Sequence, residues 1–416
     1  MTRRVADALM VLFLAVFAGL CAPAAWAAPH LVVDLKTGKV IAQEQAFDRW
    51  YPASLTKLMT VYVALAEAAK GSITLQSPVM ISPNAANEAP SRIGLGQGAI
   101  VTLDAAIRIL MVKSANDMAT AIAESVAGSE QAFAGLMNSH AAALGMADSH
   151  FVNAHGLHHD DQYTTARDLA VLATRLRRDF PSAAHYFAIS AIQVGGRTIA
   201  NHNQLLLRFP GATGMKTGFT CPAGMNIVVT AKKGARELLA VVLGGTSGQE
   251  RNVRAARLLT EGFATNTFFI PAKLDTLKEP AFADKTPTNM REQACKARPK
   301  RVKVAAKKPP VNALALFDDD DDDQNYGSAE VTLDELEEKY LGPRLTSLPA
   351  GRVQVVALGN ATGPDPYGLV ARGAELTAAR LAAEAKAAKL RAARLAKAKA
   401  AKKAKLARKP TQKKSG

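Results

Sequence analysis

The chain is poor in cysteine and in long apolar runs, and each scarcity excludes something. Three cysteines in 416 residues cannot build a disulfide framework, and their spacing is not that of a metal site. Cys21 lies in the N-terminal apolar stretch. That leaves Cys221 and Cys295 as either one disulfide in an oxidising compartment or two free thiols. Beyond the first 28 residues no stretch reaches the roughly 18 apolar residues a membrane span requires. An excess of positive charge is also missing from most of the chain, although the formal net charge is +16. Residues 1–270 carry 23 Lys/Arg against 18 Asp/Glu, whereas residues 371–416 carry 15 against 2. The basicity belongs to a tail, so the overall charge does not mark a nucleic-acid-binding body.

What is present begins with MTRRVADALMVLFLAVFAGLCAPAAWA. Arg3 and Arg4, the apolar run Ala8–Leu20 and the small-residue site Ala25-Trp26-Ala27 together read as a secretory signal peptide over residues 1–27. An uncleaved anchor is the alternative. Leu20 beside Cys21 argues against a lipoprotein site. Export to the periplasm or cell envelope is therefore expected, without a transmembrane helix in the mature protein and without nucleic acid as a partner.

With 48% hydrophobic residues, the chain can bury a full core. HLVVDLKTGKVIAQ reads as a hairpin, with strands on either side of a Lys-Thr-Gly-Lys turn. SLTKLMTVYVALAEAAK has helix formers with apolar residues at helical spacing up to Gly71. Helices are predicted over Thr102–Met111 and Ser114–Ala127, with Thr102 and Ser114 as N-caps. MNIVVTAKKGARELLAVVLGG is a strand, a turn and a strand, and ERNVRAARLLTEGF an amphipathic helix. Strands at both ends with helices between them imply an α/β chain of the α+β type, in which one antiparallel sheet pairs its first and last strands under a cover of helices.

After about residue 265 the texture changes. Residues 266–350 read as a low-complexity linker that contains the acidic run Asp318–Asp323 and a short acidic helix around Leu333–Tyr340. Residues 351–416 hold one strand-like island, GRVQVVALG, and an Ala/Lys-rich helix former whose leucines keep no single face. A solvated tail and a surface-binding one, against anionic wall polymers or lipid headgroups, both fit this composition.

Three short motifs carry chemistry. In YPASLTKLMT, Ser54 and Lys57 stand at i and i+3, on one helical face within hydrogen-bond reach. A lysine kept neutral by burial or by a neighbouring cation can take a serine proton. KSANDMA then supplies Ser114 and Asn116, and GMKTGFT supplies Lys216, Thr217 and Gly218 ahead of a strand. S-x-x-K, an S-x-N element and K-T-G, in this order, are the signature of penicillin-binding proteins and class A β-lactamases. Intervals of 57 residues from Lys57 to Ser114 and 100 from Asn116 to Lys216 fit one domain.

From about Leu31 to Phe263 the chain resembles the low-molecular-mass penicillin-binding proteins, the serine D-alanyl-D-alanine carboxypeptidases. NEAPSRIGLGQG, NAHGL, YTTARDLA and NHNQLLLRFPGATGMKTG add to the likeness. No segment resembles the element that positions a deacylating carboxylate in β-lactamases. The resemblance implies a penicillin-binding, β-lactamase-like transpeptidase fold with a helical subdomain, a catalytic domain over residues 28–265, and no cofactor. It implies Ser54 as nucleophile, Lys57 as its base, and Ser114 and Asn116 across the cleft. Lys216, Thr217, Gly218 and Arg251 would hold the substrate, and the backbone N–H groups of Ser54 and Phe219 would form the oxyanion hole. The implied partners are peptidoglycan stem peptides, with β-lactams as covalent inhibitors. DD-endopeptidase activity and a slow wall-binding scaffold are the alternatives. Two departures stand out: Ala115 where Gly is usual, and Phe219 where His is frequent. His150, His155, His158 and His159 match no ligand spacing, so no metal is expected. Asp318–Asp323 reads as a solvated run rather than a calcium site.

Overall fold

The computed structural model describes residues 28–296, 332–343, 353–359 and 361–407. Residues 1–27, read from the sequence as a signal peptide, and the run Asp318–Asp323 lie outside them. Its centre is a five-stranded antiparallel sheet built from β1 (His30–Asp34), β2 (Val40–Glu44), β7 (Ala212–Thr220), β8 (Gly224–Lys233) and β9 (Arg236–Gly245). The order is β2-β1-β9-β8-β7, so the first strand meets the last, as the sequence implied. The hairpins β1–β2 and β8–β9 are also those expected.

Strand periodicity sorts the core into two layers. Leu31, Val33, Val228, Leu239 and Val241 face the main helical cluster. Val32, Ile227, Val229, Leu238, Ala240 and Val242 face the other way, against Val253, Ala256 and Leu259 of the helix Gly248–Ala264. Because both faces are covered, these strands read as continuous apolar runs rather than alternating ones. Each buried Val or Leu side chain contributes about 1.5–3 kcal/mol.

Among the described residues eight helices have eight residues or more: α1 (Thr56–Ala69), α2 (Leu103–Lys113), α3 (Asn116–Ala127), α4 (Glu130–Ala143), α5 (Ala166–Asp179), α6 (Gly248–Ala264), α7 (Leu333–Tyr340) and α8 (Leu369–Ala407). α1 is buried from Thr56 to Leu65, because it runs between the sheet and the helical subdomain formed by α2, α3 and α4. Thr102 caps α2 as expected, its hydroxyl accepting from the Ala105 N–H at 3.1 Å. Ser114 does not cap α3. It ends α2 in the left-handed region at φ +58°, and Ala115 precedes α3 without a side-chain cap. The Asn116 N–H donates instead to the Ser91 carbonyl at 2.7 Å, so the helix start needs no serine oxygen.

The stretch after residue 265, expected as linker, packs against the main hydrophobic cluster up to residue 296. Leu274, Met290 and Ala294 are buried, and Cys221 is bonded to Cys295 across 74 residues. The acidic helix is present as α7, with a Thr332–Glu335 capping box. It docks through Glu337 on Arg208 and Gln249. The strand-like island forms β10 (Val353–Val355), which pairs in parallel with β5 (Ala191–Val194). The disulfide closes a long loop next to β7. Replacing Cys295 with Ser should lower stability by about 2–4 kcal/mol. Denaturant melts should show this as a lower midpoint, reproduced by the reduced wild type; an unmoved midpoint would mean that the bond adds nothing to the stability of the fold.

Candidate active site

A sharp entry into α1 places Ser54. Trp50 is pinned by its indole N–H to the Ala223 carbonyl at 2.8 Å and by a two-way backbone bridge to Thr164. Asn226 of β8 donates to the Tyr51 carbonyl at 3.0 Å and accepts from the Gly244 N–H at 2.9 Å. Ala53 is then forced to φ +47°, an uncommon conformation for a residue with a side chain. One turn of 3₁₀ helix, Ala53–Leu55, presents Ser54 half-buried at the foot of α1. Gly156 packs so closely beneath it that a methyl group there would lie 1.9 Å from the Ala53 carbonyl oxygen.

Lys57, one turn on, is wholly buried. Its Nζ lies 2.9 Å from Ser54 Oγ, 2.8 Å from Asn116 Oδ1 and 2.5 Å from the His155 carbonyl oxygen. The Asn116 amide is oriented by its own donation to the Ala89 carbonyl at 3.0 Å. Two of the three neighbours of Nζ are therefore pure acceptors. A neutral amine gives them its two protons and turns its lone pair toward the serine hydroxyl. Burial, and then the charge of Lys216, hold the Lys57 pKa well below the usual lysine value, against the pull of Asp117 and Glu88.

The opposite wall is β7, an edge strand of the sheet. Lys216 is buried and donates to the Thr217 carbonyl at 3.0 Å. Burial and the nearby Arg251 guanidinium push its pKa down to about 7. At Gly218 an added Cβ would sit 3.1 Å from the N atoms of Ser54 and Leu55. Glycine thus lets the strand edge lie against the serine's own backbone. Thr217 is buried, Phe219 is 38% exposed at the rim, and Arg251 is buried on α6, donating to Asn252 Oδ1. Ser114 completes the group from the end of α2. Among the described residues its buried hydroxyl has no hydrogen-bond partner, which leaves it available to an incoming ligand.

Positive charge accumulates here. Burial first, and then the charges of Lys216, Lys113 and Arg251, push the His202 pKa down to about 3. The cleft therefore suits a ligand carrying a carboxylate beside an amide. The four histidines of SHFVNAHGLHHDD do not converge. His150 lies against the Asp161 carbonyl, His158 against the Tyr51 ring and Asp160, His159 beside Asp161, and His155 separately beside Glu88 and Glu130. A cavity of about 370 Å³ lined by Arg208, Asp334, Glu337 and Leu341 sits at the α7 junction and includes none of the site residues.

Sequence reasoning missed Asn226, Gly156 and the His155 carbonyl, which aim Ser54 and Lys57. It also missed Asp117, whose carboxylate accepts from Ile93 and Gly94 at 3.1 and 2.9 Å and so fixes the loop around Asn116. NAHGL offered a signal for two of them, although a carbonyl acceptor leaves no mark on side-chain identity.

The family model for D-alanyl-D-alanine carboxypeptidase matches residues 20–247. The D-alanyl-D-alanine carboxypeptidase DacA of Escherichia coli K12 is 36% identical over 242 residues, 56% of this chain and 60% of that protein. The crystal structure of the carboxypeptidase DacD from Francisella tularensis is 30% identical with a TM-score of 0.55, covering 57% of this chain and 71% of the other. Penicillin-binding protein D2 of Listeria monocytogenes, solved in a cefotaxime-bound form, is 25% identical with a TM-score of 0.52, covering 57% and 96%. The chain thus spans about 60% of the length of the first curated relatives it matches. A family match over more than half its residues, joined to this fold and this arrangement of Ser54, Lys57, Asn116 and Lys216, places the chain in the D-alanyl-D-alanine carboxypeptidase family.

Proposed function

We propose that the protein is an exported serine carboxypeptidase that removes the terminal D-alanine from peptidoglycan pentapeptide stems and is acylated by β-lactams. Residues 28–265 form its catalytic domain in this reading. The observation that carries it is the buried Lys57 amine, 2.9 Å from Ser54 Oγ with its other neighbours pure acceptors. Ser54 Oγ attacks the carbonyl carbon between the two D-alanines as its proton passes to Lys57. The carbonyl oxygen becomes an oxyanion facing the N–H groups of Ser54 and Phe219, donors of a kind that contribute about 3 kcal/mol each. The C–N bond then breaks, Ser114 relays a proton to the leaving amine, and D-alanine departs. Water attacks the ester and returns Ser54 to its starting state. Asn116 holds Lys57 and the substrate amide. Thr217, Lys216 and Arg251 receive the terminal carboxylate, and the bare edge at Gly218 pairs with the extended peptide.

The test is mass spectrometry of a pentapeptide ending in D-Ala-D-Ala after incubation with the wild-type protein. Loss of one D-alanine is expected. An untouched monomer with a cleaved cross-linked dimer would replace this reading by an endopeptidase, and no cleavage of either by a wall-binding scaffold.

Lys216 has a separate signature. Its charge depresses Lys57, so Lys216→Met should move the acid limb of the kcat/KM profile to higher pH and raise KM about tenfold through the lost carboxylate contact. An unmoved limb would refute the coupling. Stability responds as well. Lys216 has a folded pKa of about 7, below that of an unfolded lysine, so the unfolded chain holds the extra proton between pH 7 and about 10.4. Wild-type stability should rise with pH across that window, and less so in Lys216→Met.

A further inference from the structure

The loop over residues 88–98 walls the cleft from the helical side. Its inner face is tied to the site by the Ala89 and Ser91 carbonyls, which accept from Asn116, and by the Ile93 and Gly94 N–H groups on Asp117. Its outer face carries the root of α8. A methyl group at Gly98 would fall 2.5 Å from the Gly373 carbonyl oxygen, and one at Gly96 2.9 Å from the Arg380 guanidinium. The chain reaches this point along a chain of contacts. The Gly359 N–H donates to the Ile100 carbonyl, the Gly363 N–H to that of Gln76 and Ser77 Oγ to that of Pro364. Tyr367 packs on Gly128. Beyond Arg380 the helix leaves the body, and Lys386, Lys389, Arg391, Arg394 and Lys397 are all exposed.

The shaft does not suit a bilayer surface. Leu381 and Leu390, 53% and 55% exposed, are nine positions apart, which puts them on opposite sides of a helix turning about 100° per residue. The five cations spread over more than half of the circumference. An interfacial helix needs one continuous apolar face, whereas cations on several sides suit a flexible polymer that can wrap. A glycan strand bearing many stems, each ending in a carboxylate, is such a linear polyanion.

We propose that α8 is a docking arm for the substrate polymer itself: its exposed cations hold neighbouring carboxylates of the strand whose stem end enters the cleft beside its root. The inference rests on the activity proposed above. Two attachments to one strand make entry of the next stem effectively intramolecular, which lowers the apparent KM for polymer and leaves that for a single stem unchanged.

The test uses the full chain and a variant with Lys386→Gln, Lys389→Gln, Arg391→Gln, Arg394→Gln and Lys397→Gln, in which glutamine preserves helix propensity. With un-cross-linked strands bearing pentapeptide stems, the variant should show a KM raised about tenfold. With the free pentapeptide, kcat and KM should match the wild type. Equal KM values on strands would overturn the proposal, as would tighter wild-type sedimentation with phosphatidylglycerol vesicles than with strands. If the wild type fails to cut the free pentapeptide, the activity reading fails by itself. Co-sedimentation of both proteins with strands then still reads the arm, with weaker retention of the variant expected and equal retention refuting it.

Discussion

Ser54→Ala should form no covalent adduct with a β-lactam and should lose about a million-fold in turnover, the scale seen when a serine hydrolase loses its nucleophile. The size of the effect follows from the site, in which Ser54 Oγ is the hydroxyl that faces the Lys57 lone pair. Ser114 cannot replace it, because its hydroxyl makes no hydrogen bond to Lys57, whose partners are Ser54, Asn116 and His155. The fold should tolerate the change. Ser54 is half-buried, the methyl group keeps the 3₁₀ turn, and Asn226 still anchors the Tyr51 carbonyl. Intact-mass spectrometry after mixing with a fluorescent penicillin, beside a thermal melt, separates the outcomes. A full adduct on the variant would transfer the nucleophile to another residue, and an absent adduct with a collapsed melt would assign the loss to folding.

Much of this arrangement was legible because its chemistry resides in side chains arranged in short motifs. SLTK, SAN and KTG each name their residues, and their order along the chain fits a single cleft. The sheet was legible for a similar reason: β1 and β9 are apolar runs at opposite ends of a domain-sized stretch, and pairing them closes the core. Backbone geometry was not legible. The serine-first reading of SANDMA follows the usual N-cap preference. It fails at Ser114 because the Ser91 carbonyl, 23 residues away, already takes the Asn116 N–H. Ser114 instead ends α2 in the left-handed region, its buried hydroxyl without a hydrogen-bond partner among the described residues.

The C-terminal third was least legible, and for physical reasons. Residues 266–296 carry too few apolar side chains to predict packing, and their attachment depends on a bond from Cys295 to Cys221 that two isolated cysteines do not specify. β10 finds its parallel partner β5 about 160 residues earlier, a distance over which local pattern says nothing. Asn226 in MNIVV looks like a polar interruption of a strand. It is instead the residue that ties the central sheet to the turn that carries Ser54.

Lys57→Met carries the second-largest expected effect. Methionine keeps the length and flexibility of the side chain without the amine, so acylation loses its proton acceptor and should slow by about 10³–10⁴-fold, the upper range for a positioned general base. Asn116 should stay in place, since its amide donates to Ala89 and its backbone N–H to Ser91. Only the His155 carbonyl and Asn116 Oδ1 lose a donor. The initial non-covalent affinity for a β-lactam should therefore remain near that of the wild type while the acylation step collapses. The pH dependence separates a lost base from a distorted cleft. In the wild type the rate should level off once the amine, held below its ordinary pKa by burial and by Lys216, has lost its proton. In Lys57→Met the residual rate should keep climbing with hydroxide concentration and show no plateau. A plateau at the wild-type position, or a rate within tenfold of wild type at neutral pH, would mean that another group takes the Ser54 proton. His155 is a poor substitute: burial and the neighbouring Lys57 hold its pKa near 3, and its ring Nδ1 already accepts from the Leu157 N–H at 3.0 Å.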